Sequence, residues 1–340
     1  MESKNQKTAN GGVLLCAIGK RENVYAKEFV EHYKNIGVSK IVIYDNNDDD
    51  GERFEDELYE YVNDGFVEII NYRGRIKPQR QAYTECYMKY GDKYAWLMFF
   101  DFDEFLVIRD GRTVDDWLSD KRYEGYQSVA VNWMLFGDGG MVRSDGRPVC
   151  ERITEPCDFD IKKHYDFPEN NHVKSIVRGG LKKLEWKHTP HVPSTKINIC
   201  NTNGEKISNT PFCDYVFDVA YLKHFVTKTI DEYISLKLVR GGGNNKNYHK
   251  MPLIDEFFKI NKYTVEKQNV INEYSKKYPW LFDTYKSRGN NTRMTENKQK
   301  KEPSKNVNVQ SDMSTNDIVT KVIRNVRDKR KMIAQNWARY

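Results

Sequence analysis

Three carboxylates within four residues, Asp101, Asp103 and Glu104, interrupt the aromatic run Phe99-Phe100-Asp101-Phe102-Asp103-Glu104-Phe105-Leu106. The apolar segment just before them, Tyr94 to Phe100, reads as a buried strand. An unpaired charge inside a strand is costly. Asp101 and Asp103 therefore mark where the chain leaves the core, and period-two alternation turns both toward one side. Two carboxylates on one side, at the carboxyl end of a strand, suit a hard divalent cation, Mn2+ or Mg2+. The simplest task for such an ion is to bridge a diphosphate. A lone D-x-D carries little weight, because acidic residues after a strand also cap helices or face water. The elements that position it have to decide.

Those elements come in a regular order. Val13 to Ile18 reads as a strand, Asn23 to Ile36 as a helix stopped by Gly37, and Lys40 to Tyr44 as a β-branched second strand before the acidic turn Asp45 to Gly51. Glu52 to Val62 is helical in pattern, Phe66 to Asn71 is a third strand, and Pro78 to Tyr90 a helix with proline near its start. With Tyr94 to Phe100 as the fourth strand, the β-α-β-α-β-α-β order implies an α/β fold, a mostly parallel sheet flanked by helices. Ligands of such sheets bind outside the carboxyl ends of the strands, where the acidic groups at Asp45 and Asp101 both fall. Thr113 is placed to cap a short helix through Leu118, and Gln127 to Leu135 reads as a fifth strand. Gly137 to about Thr210 is irregular and rich in Gly, Pro, His and Asn, a length of loop usually associated with function. Tyr221 to Val226 is strand-like. Thr229 to Arg240 follows as a helix with a capping box at Thr229 and Glu232.

Composition narrows the classes. At 340 residues, 13% of them aromatic with 22 Tyr, the chain can bury a sizeable core. No apolar stretch is long enough to span a bilayer. Met1 to Gly12 lacks a secretory core, and six cysteines without a C-x-x-C pair fit free thiols in a reducing compartment. The expected location is cytoplasmic. The net charge of +6 sits in the tail: Lys286 to Tyr340 holds 14 Lys or Arg against 5 Asp or Glu, which leaves the rest near −3. A nucleic-acid role for the main domain gains nothing from that distribution. The expected organisation is a disordered start at 1–12, a main domain at 13–285, a flexible Lys-, Asn- and Ser-rich linker at 286–316, and a basic amphipathic helix at 317–340. In that helix Ile318, Val322, Val326, Ile333 and Trp337 recur at near-helical spacing among Lys and Arg. Such a helix suits the inner face of an anionic membrane as a peripheral contact, or a docking site on protein.

The motifs, taken in order, resemble those of the GT-A-fold glycosyltransferases of family 92 and their bacterial, family 2-like relatives. They are Ala17-Ile18-Gly19-Lys20-Arg21-Glu22, Glu28-Phe29, Gly37-Val38, Ile43-Tyr44-Asp45-Asn46-Asn47, Gln79-x-x-Ala82-Tyr83-x-x-Cys86 and Phe100-Asp101-Phe102-Asp103-Glu104-Phe105. Then follow Trp133-x-x-Phe136-Gly137, Glu151-Arg152, Lys174 to Arg178, His188 to His191, and His224-Phe225-x-Thr227-Lys228. The resemblance implies a GT-A fold and transfer of a sugar from a nucleotide-diphosphate donor, a UDP-sugar by default, to a hydroxyl of a cell-surface glycan, polysaccharide, lipopolysaccharide or lipid-linked glycan. It implies Asp103 as direct metal ligand, helped by Asp101, with a histidine completing the shell from His191, His188 or His224. Donor contacts would come from Glu22, Asp45, Gln79, Asp101, Lys174 and Arg178. The chain departs from the family where Arg21 replaces a common Asn and where Phe136-Gly137-Asp138-Gly139-Gly140 replaces a Phe-Gly-Ser-Ser-Gly loop.

Sugar transfer needs a cation for the departing diphosphate. An inverting reaction also needs a base for the acceptor hydroxyl. Glu151 is the first candidate base and Asp138 the second, while a salt bridge with Arg152 is the plain reading of Glu151. Lys174 and Arg178 are candidate phosphate partners or, more plainly, strand residues facing solvent. Asn46 to Glu57 imitates a calcium loop, but Arg53 stands where an apolar residue belongs and the preceding element is a strand. Pro190 spoils His188-Thr-Pro-His191 as a zinc pair. Two alternatives to a transferase remain: a nucleotidyltransferase that makes the sugar nucleotide, for which Gly19 to Glu22 is a poor phosphate loop, and a non-catalytic carbohydrate-binding protein of the same fold.

Overall fold

The computed structural model of the protein describes residues 11–157, 171–239 and 253–282. The expected linker and basic tail helix, and most of the expected disordered start, lie outside them. Strands β1 (Val13–Gly19), β2 (Lys40–Asp45), β3 (Val67–Asn71) and β4 (Trp96–Phe99) alternate with helices α1 (Asn23–Asn35), α2 (Phe54–Asn63) and α3 (Gln79–Tyr90). The four strands pair in parallel in the order β3-β2-β1-β4. Alternation along them explains why the sheet is covered on both faces. Val13, Leu15, Ala17, Ile41 and Ile43 pack with α1 and α2, while Leu14, Cys16, Val42 and Tyr44 pack with Tyr83, Cys86 and Tyr87 of α3. Fully buried parallel strands read as unbroken apolar runs for this reason. All six cysteines are unpaired thiols.

Beyond β4 the sheet changes character. β5 (Glu104–Ile108) and α4 (Val114–Leu118) precede β6 (Ser128–Leu135) and the short α5 (Val149–Arg152). β7 (Val173–Arg178), β8 (Ile199–Cys200), β9 (Lys206–Ile207) and β10 (Ala220–His224) follow. α6 (Ile230–Glu232) continues in wide π-type turns through Leu238, and α7 (Leu253–Phe257) and α8 (Val265–Lys277) end the described chain. The order across the sheet is β3-β2-β1-β4-β7-β6-β10-β5, with β7 antiparallel to both β4 and β6, and β10 parallel to β6. Two antiparallel steps restore the original direction. The carboxyl ends of β1, β2, β3, β4, β6 and β10 therefore lie along one edge, together with the starts of β5 and β7.

Several elements were not evident in the sequence, β5, β7 and α8 among them. β5 begins on the carboxylate Glu104 and exists by pairing with β10, over a hundred residues away. β7 rises inside the segment read as irregular, and α8 has few apolar positions. Phe102 shows what fixes the D-x-D turn: it is 2% exposed, stacked at 5.0 Å on Phe54 and 4.5 Å from Phe29. The aromatic between the two aspartates is thus a plug in the α1–α2 core. Gly19 lies beneath it, where an added Cβ would stand 2.5 Å from Phe54 and 2.8 Å from Phe102. α1 is tied to β5 by His32 Nε2, 2.9 Å from the Leu106 carbonyl, and by the Tyr33 hydroxyl donating to the Glu104 carbonyl at 2.8 Å.

Two outcomes follow. Gly19→Ala should lose about 1–3 kcal/mol in urea unfolding, because overpacking displaces a fixed aromatic stack; wild-type stability would mean that stack is free to move. Burial lowers the His32 imidazole from 6.5 to about 4. The unfolded chain then binds more protons than the folded one, so His32 stabilises above its ordinary value and that stability is lost as pH falls from 6.5 toward 4. His32→Gln should flatten the slope of unfolding free energy in that window by up to about 1.4 kcal/mol per pH unit, one proton's worth. An unchanged slope would show that His32 is protonated in the fold.

Candidate functional site

Along the carboxyl edge the sheet collects a carboxylate cluster. Asp101, two residues past β4, is held from three sides: Gln79 Nε2 at 2.6 Å and the Tyr83 hydroxyl at 2.9 Å both donate to Oδ1, and Lys174 Nζ of β7 stands 2.9 Å from Oδ2. Glu104 is fully buried and accepts from Trp133 Nε1 of β6 at 2.9 Å and from the Asp101 backbone N–H at 2.9 Å. Lys174, also fully buried, reaches Glu104 Oε2 at 3.6 Å. Its contacts with the two carboxylates are held by charge rather than by aligned hydrogen bonds. Burial alone would lower the Lys174 ammonium, but Asp101 and Glu104 outweigh it and hold the amine above its usual value.

Asp103 turns toward β10, with Oδ2 3.6 Å from His224 Nε2. Asp103, Glu104 and His224 bring one ligand atom each within 4.8 Å of one another. The two adjacent carboxylates are driven apart by their surroundings. Burial works to raise Asp103, but His224, Lys228 and Lys237 hold it well below the carboxylate range. Burial pushes Glu104 well above that range, against the pull of Lys174. Burial lowers the His224 imidazole, and its Nδ1 is buried without a hydrogen-bond partner. Neutral imidazole and ionised carboxylate are the forms that ligate metal.

The expected site residues divide. Asp101, Asp103, Gln79, Lys174 and His224 come together. Gln79 and Lys174 are engaged with Asp101. His191 lies close behind, its Nδ1 3.0 Å from the Val173 carbonyl and its ring 5.0 Å from Trp133, and burial beside Lys174 lowers it to about 3. His188 is exposed and outside the three-residue group. Asp45 is buried at the end of β2, where it accepts from the Asn47 N–H at 2.9 Å and faces Arg73 at 3.5 Å. Glu22 begins α1 and stands 4.0 Å from Lys228. Arg178 is at the opposite edge: paired in register with Trp96, it stacks on that ring at 4.1 Å and donates to the carbonyls of Tyr123 and Tyr126. Four residues of strand separate Lys174 from Arg178 by about 13 Å, too far to serve one ligand, and antiparallel pairing with β4 puts Lys174 at the carboxyl edge. Asp138 is joined to the buried Lys267 of α8 and to the Gly140 N–H at 2.8 Å. Glu151 is exposed on α5, whose first N–H groups are capped by Glu28 at 2.7 Å, and Arg152 pairs with Glu232 rather than with Glu151. Glu104, Trp133 and Tyr83 were missed as site residues. Glu104 carried a signal as the third carboxylate of the run, and Tyr83 and Trp133 stood within the family-like motifs without being given a role.

Residues 13–143 match the sequence profile of Glycosyltransferase family 92. A glycosyltransferase family 92 protein of Oryza sativa subsp. japonica is 27% identical over 105 residues, covering 31% of this chain and 18% of that protein. One of Arabidopsis thaliana is 28% identical over 146 residues, covering 43% of this chain and 24% of that one. The matched stretch thus spans less than a quarter of these relatives' length. Among solved structures, S. aureus TarS 1-349 in complex with UDP-GlcNAc aligns with a TM-score of 0.37 and 9% identity, over 78% of this chain and 72% of that one. The profile covers β1 through the Phe136–Gly140 loop, the D-x-D included, and over that stretch this chain is similar to glycosyltransferase family 92.

Proposed function

We propose that the chain is a glycosyltransferase that moves a sugar from a nucleotide-diphosphate donor to a glycan hydroxyl, with a divalent cation, Mn2+ or Mg2+, at Asp103. The carrying observation is the group Asp103, Glu104 and His224 at the carboxyl edge of the sheet, whose two carboxylates lie within the stretch that matches the family profile, His224 standing beyond it. The residues fit a cation. Two carboxylates and an imidazole are a donor set for Mn2+ or Mg2+. The Asp103 carboxylate has no side-chain partner but His224 among the described residues, and the His224 Nδ1 is an orphaned buried atom. Asp103 and His224 would hold the ion, with Glu104 behind them. There it would supply Lewis-acid stabilisation of the diphosphate leaving group.

The remaining residues prepare that place. Gln79, Tyr83 and Lys174 fix the Asp101 carboxylate without a choice of rotamer, so no reorganisation is needed when a donor arrives. Asp45 and the loop after β2 close the side of the edge expected to meet nucleoside. Asn47 supports this by accepting from the Arg21 N–H at 2.7 Å and donating to Asn23 at 3.2 Å, which locks the loops after β1 and β2 together.

The test is nucleotide release from a panel of nucleotide-diphosphate sugars. Turnover of one donor should require Mn2+ or Mg2+, vanish with EDTA, and fall by roughly 100- to 1000-fold in Asp103→Asn, the scale for removing one fixed electrostatic group. Donor turnover indifferent to EDTA, or an Asp103→Asn enzyme at the wild-type rate, would sink the assignment.

A further inference from the structure

We propose that Lys228 binds the diphosphate of the donor, its ammonium reaching the phosphate oxygens from the loop after β10. This assignment rests on the glycosyltransferase reading above and adds a residue to it.

Backbone strain is the first observation. Among the described residues only three non-glycines adopt left-handed backbone: Arg21 (φ 55°), Lys77 (φ 54°) and Lys228 (φ 53°). All three are basic, and all three lie in loops on the carboxyl edge, after β1, between β3 and α3, and after β10. Left-handed backbone costs a residue with a Cβ free energy, and such residues persist where the surroundings over-determine them. At Lys228 the surroundings are visible. The next residue, Thr229, opens α6 with a reciprocal capping box to Glu232. Glu232 also takes the Arg152 guanidinium, at 3.0 Å through Nη1, and the Tyr25 hydroxyl at 2.9 Å. The chain on one side of Lys228 is therefore clamped.

The second observation is a largely buried lysine side chain whose ammonium is poorly partnered among the described residues. The Lys228 side chain is 9% exposed, yet its nearest carboxylate oxygen, on Glu22, is 4.0 Å away. No described residue accepts a hydrogen bond from it. Its other contact is the face of Tyr25, 4.1 Å from the ring centroid. A buried ammonium is normally supplied with oxygen acceptors. Here Lys228 of the β10–α6 loop stands opposite Glu22 of the β1–α1 loop, with no acceptor at hydrogen-bond distance among the described residues.

Location names the ligand. The Phe225 N–H, three residues before Lys228, donates to the Asp103 carbonyl at 2.9 Å, so this loop is bolted to the D-x-D turn. The ammonium thus belongs to a loop that joins the group proposed to hold the cation to Glu22. An anion rich in oxygen acceptors, positioned beside that cation, satisfies the ammonium, and the diphosphate of the donor is such an anion. Lys228 has a better claim to this role than Lys174, whose charge is already matched by Asp101 and Glu104.

The experiment is calorimetric binding in Mn2+ of wild type, Lys228→Met, Lys228→Gln and Lys228→Arg to UDP, GDP, CDP and ADP and to the corresponding nucleosides. Wild type should bind one diphosphate well above its nucleoside. Lys228→Met should weaken that diphosphate by roughly 10- to 100-fold, the scale of a charge-assisted hydrogen bond, with the nucleoside unchanged. Arg should restore most of the loss. Lys228→Gln is read the same way if the Met variant does not fold. Wild-type diphosphate affinity in the neutral variants, or a parallel fall for diphosphate and nucleoside, would overturn the assignment and leave the glycosyltransferase reading intact. A wild type that binds none of the four diphosphates would instead remove that reading, and this one with it.

Discussion

A lysine with no solvent exposure sets the terms for this sheet edge. The Lys174 ammonium must have anionic partners, because breaking a buried pair leaves an uncompensated charge at a cost of about 3–5 kcal/mol. Its nearest partner, the Asp101 carboxylate, stands just past the end of β4, and the Glu104 carboxyl, raised by burial, stands at the start of β5. β7, β4 and β5 are therefore locked at one point by charge as well as by their ladders. Glu104 extends the lock through Trp133 to β6, and Asp101 extends it through Gln79 and Tyr83 to α3. The turn 101–103 between these anchors is fixed at both ends, with Phe102 plugged into the core beneath it.

This explains which parts of the site could be read from the sequence. The first four strands and three helices are local: apolar runs alternating with helical spacing, stopped by Gly37 and started near Pro78, are sufficient to place them. The D-x-D stood out because charge breaks an apolar run. β5 could not be read, because its stability comes from pairing with β10, and strand propensity is mostly a statement about such partners. For the same reason Lys174 looked like a phosphate ligand. Nothing in Lys174-Ser-Ile-Val-Arg178 says that the strand runs antiparallel to its neighbours, which decides that Lys174 and not Arg178 meets the carboxyl edge. Glu151 and Asp138 illustrate the same limit. A carboxylate beside a motif is chemically suitable, and only tertiary packing shows that Lys267 already meets Asp138 and that Glu151 points to water.

The strain and the rigidity belong together. An edge fixed by buried charge can hold Arg21, Lys77 and Lys228 in backbone conformations that a looser edge would relax. Helix α6 adds to this: its capping box, the Arg152–Glu232 pair and the passage into π-type turns, a feature frequent at functional positions, all follow Lys228 within a few residues.

Adjacency in sequence makes the division of labour between Asp103 and Glu104 the most informative feature of the site. Both begin as ordinary carboxyl groups one bond apart along the chain. Glu104 faces the interior, where burial raises it and Lys174, Trp133 and a backbone N–H restrain it. Asp103 faces a rim furnished with His224, Lys228 and Lys237, where it stays ionised. Groups whose environments drive their proton affinities in opposite directions are the mark of separate roles. Glu104 organises the strands, and Asp103 is left with charge to give to a ligand. A turn that merely capped a helix would have no reason to set a fully buried lysine against one carboxylate while surrounding its equally enclosed neighbour with groups that keep it charged.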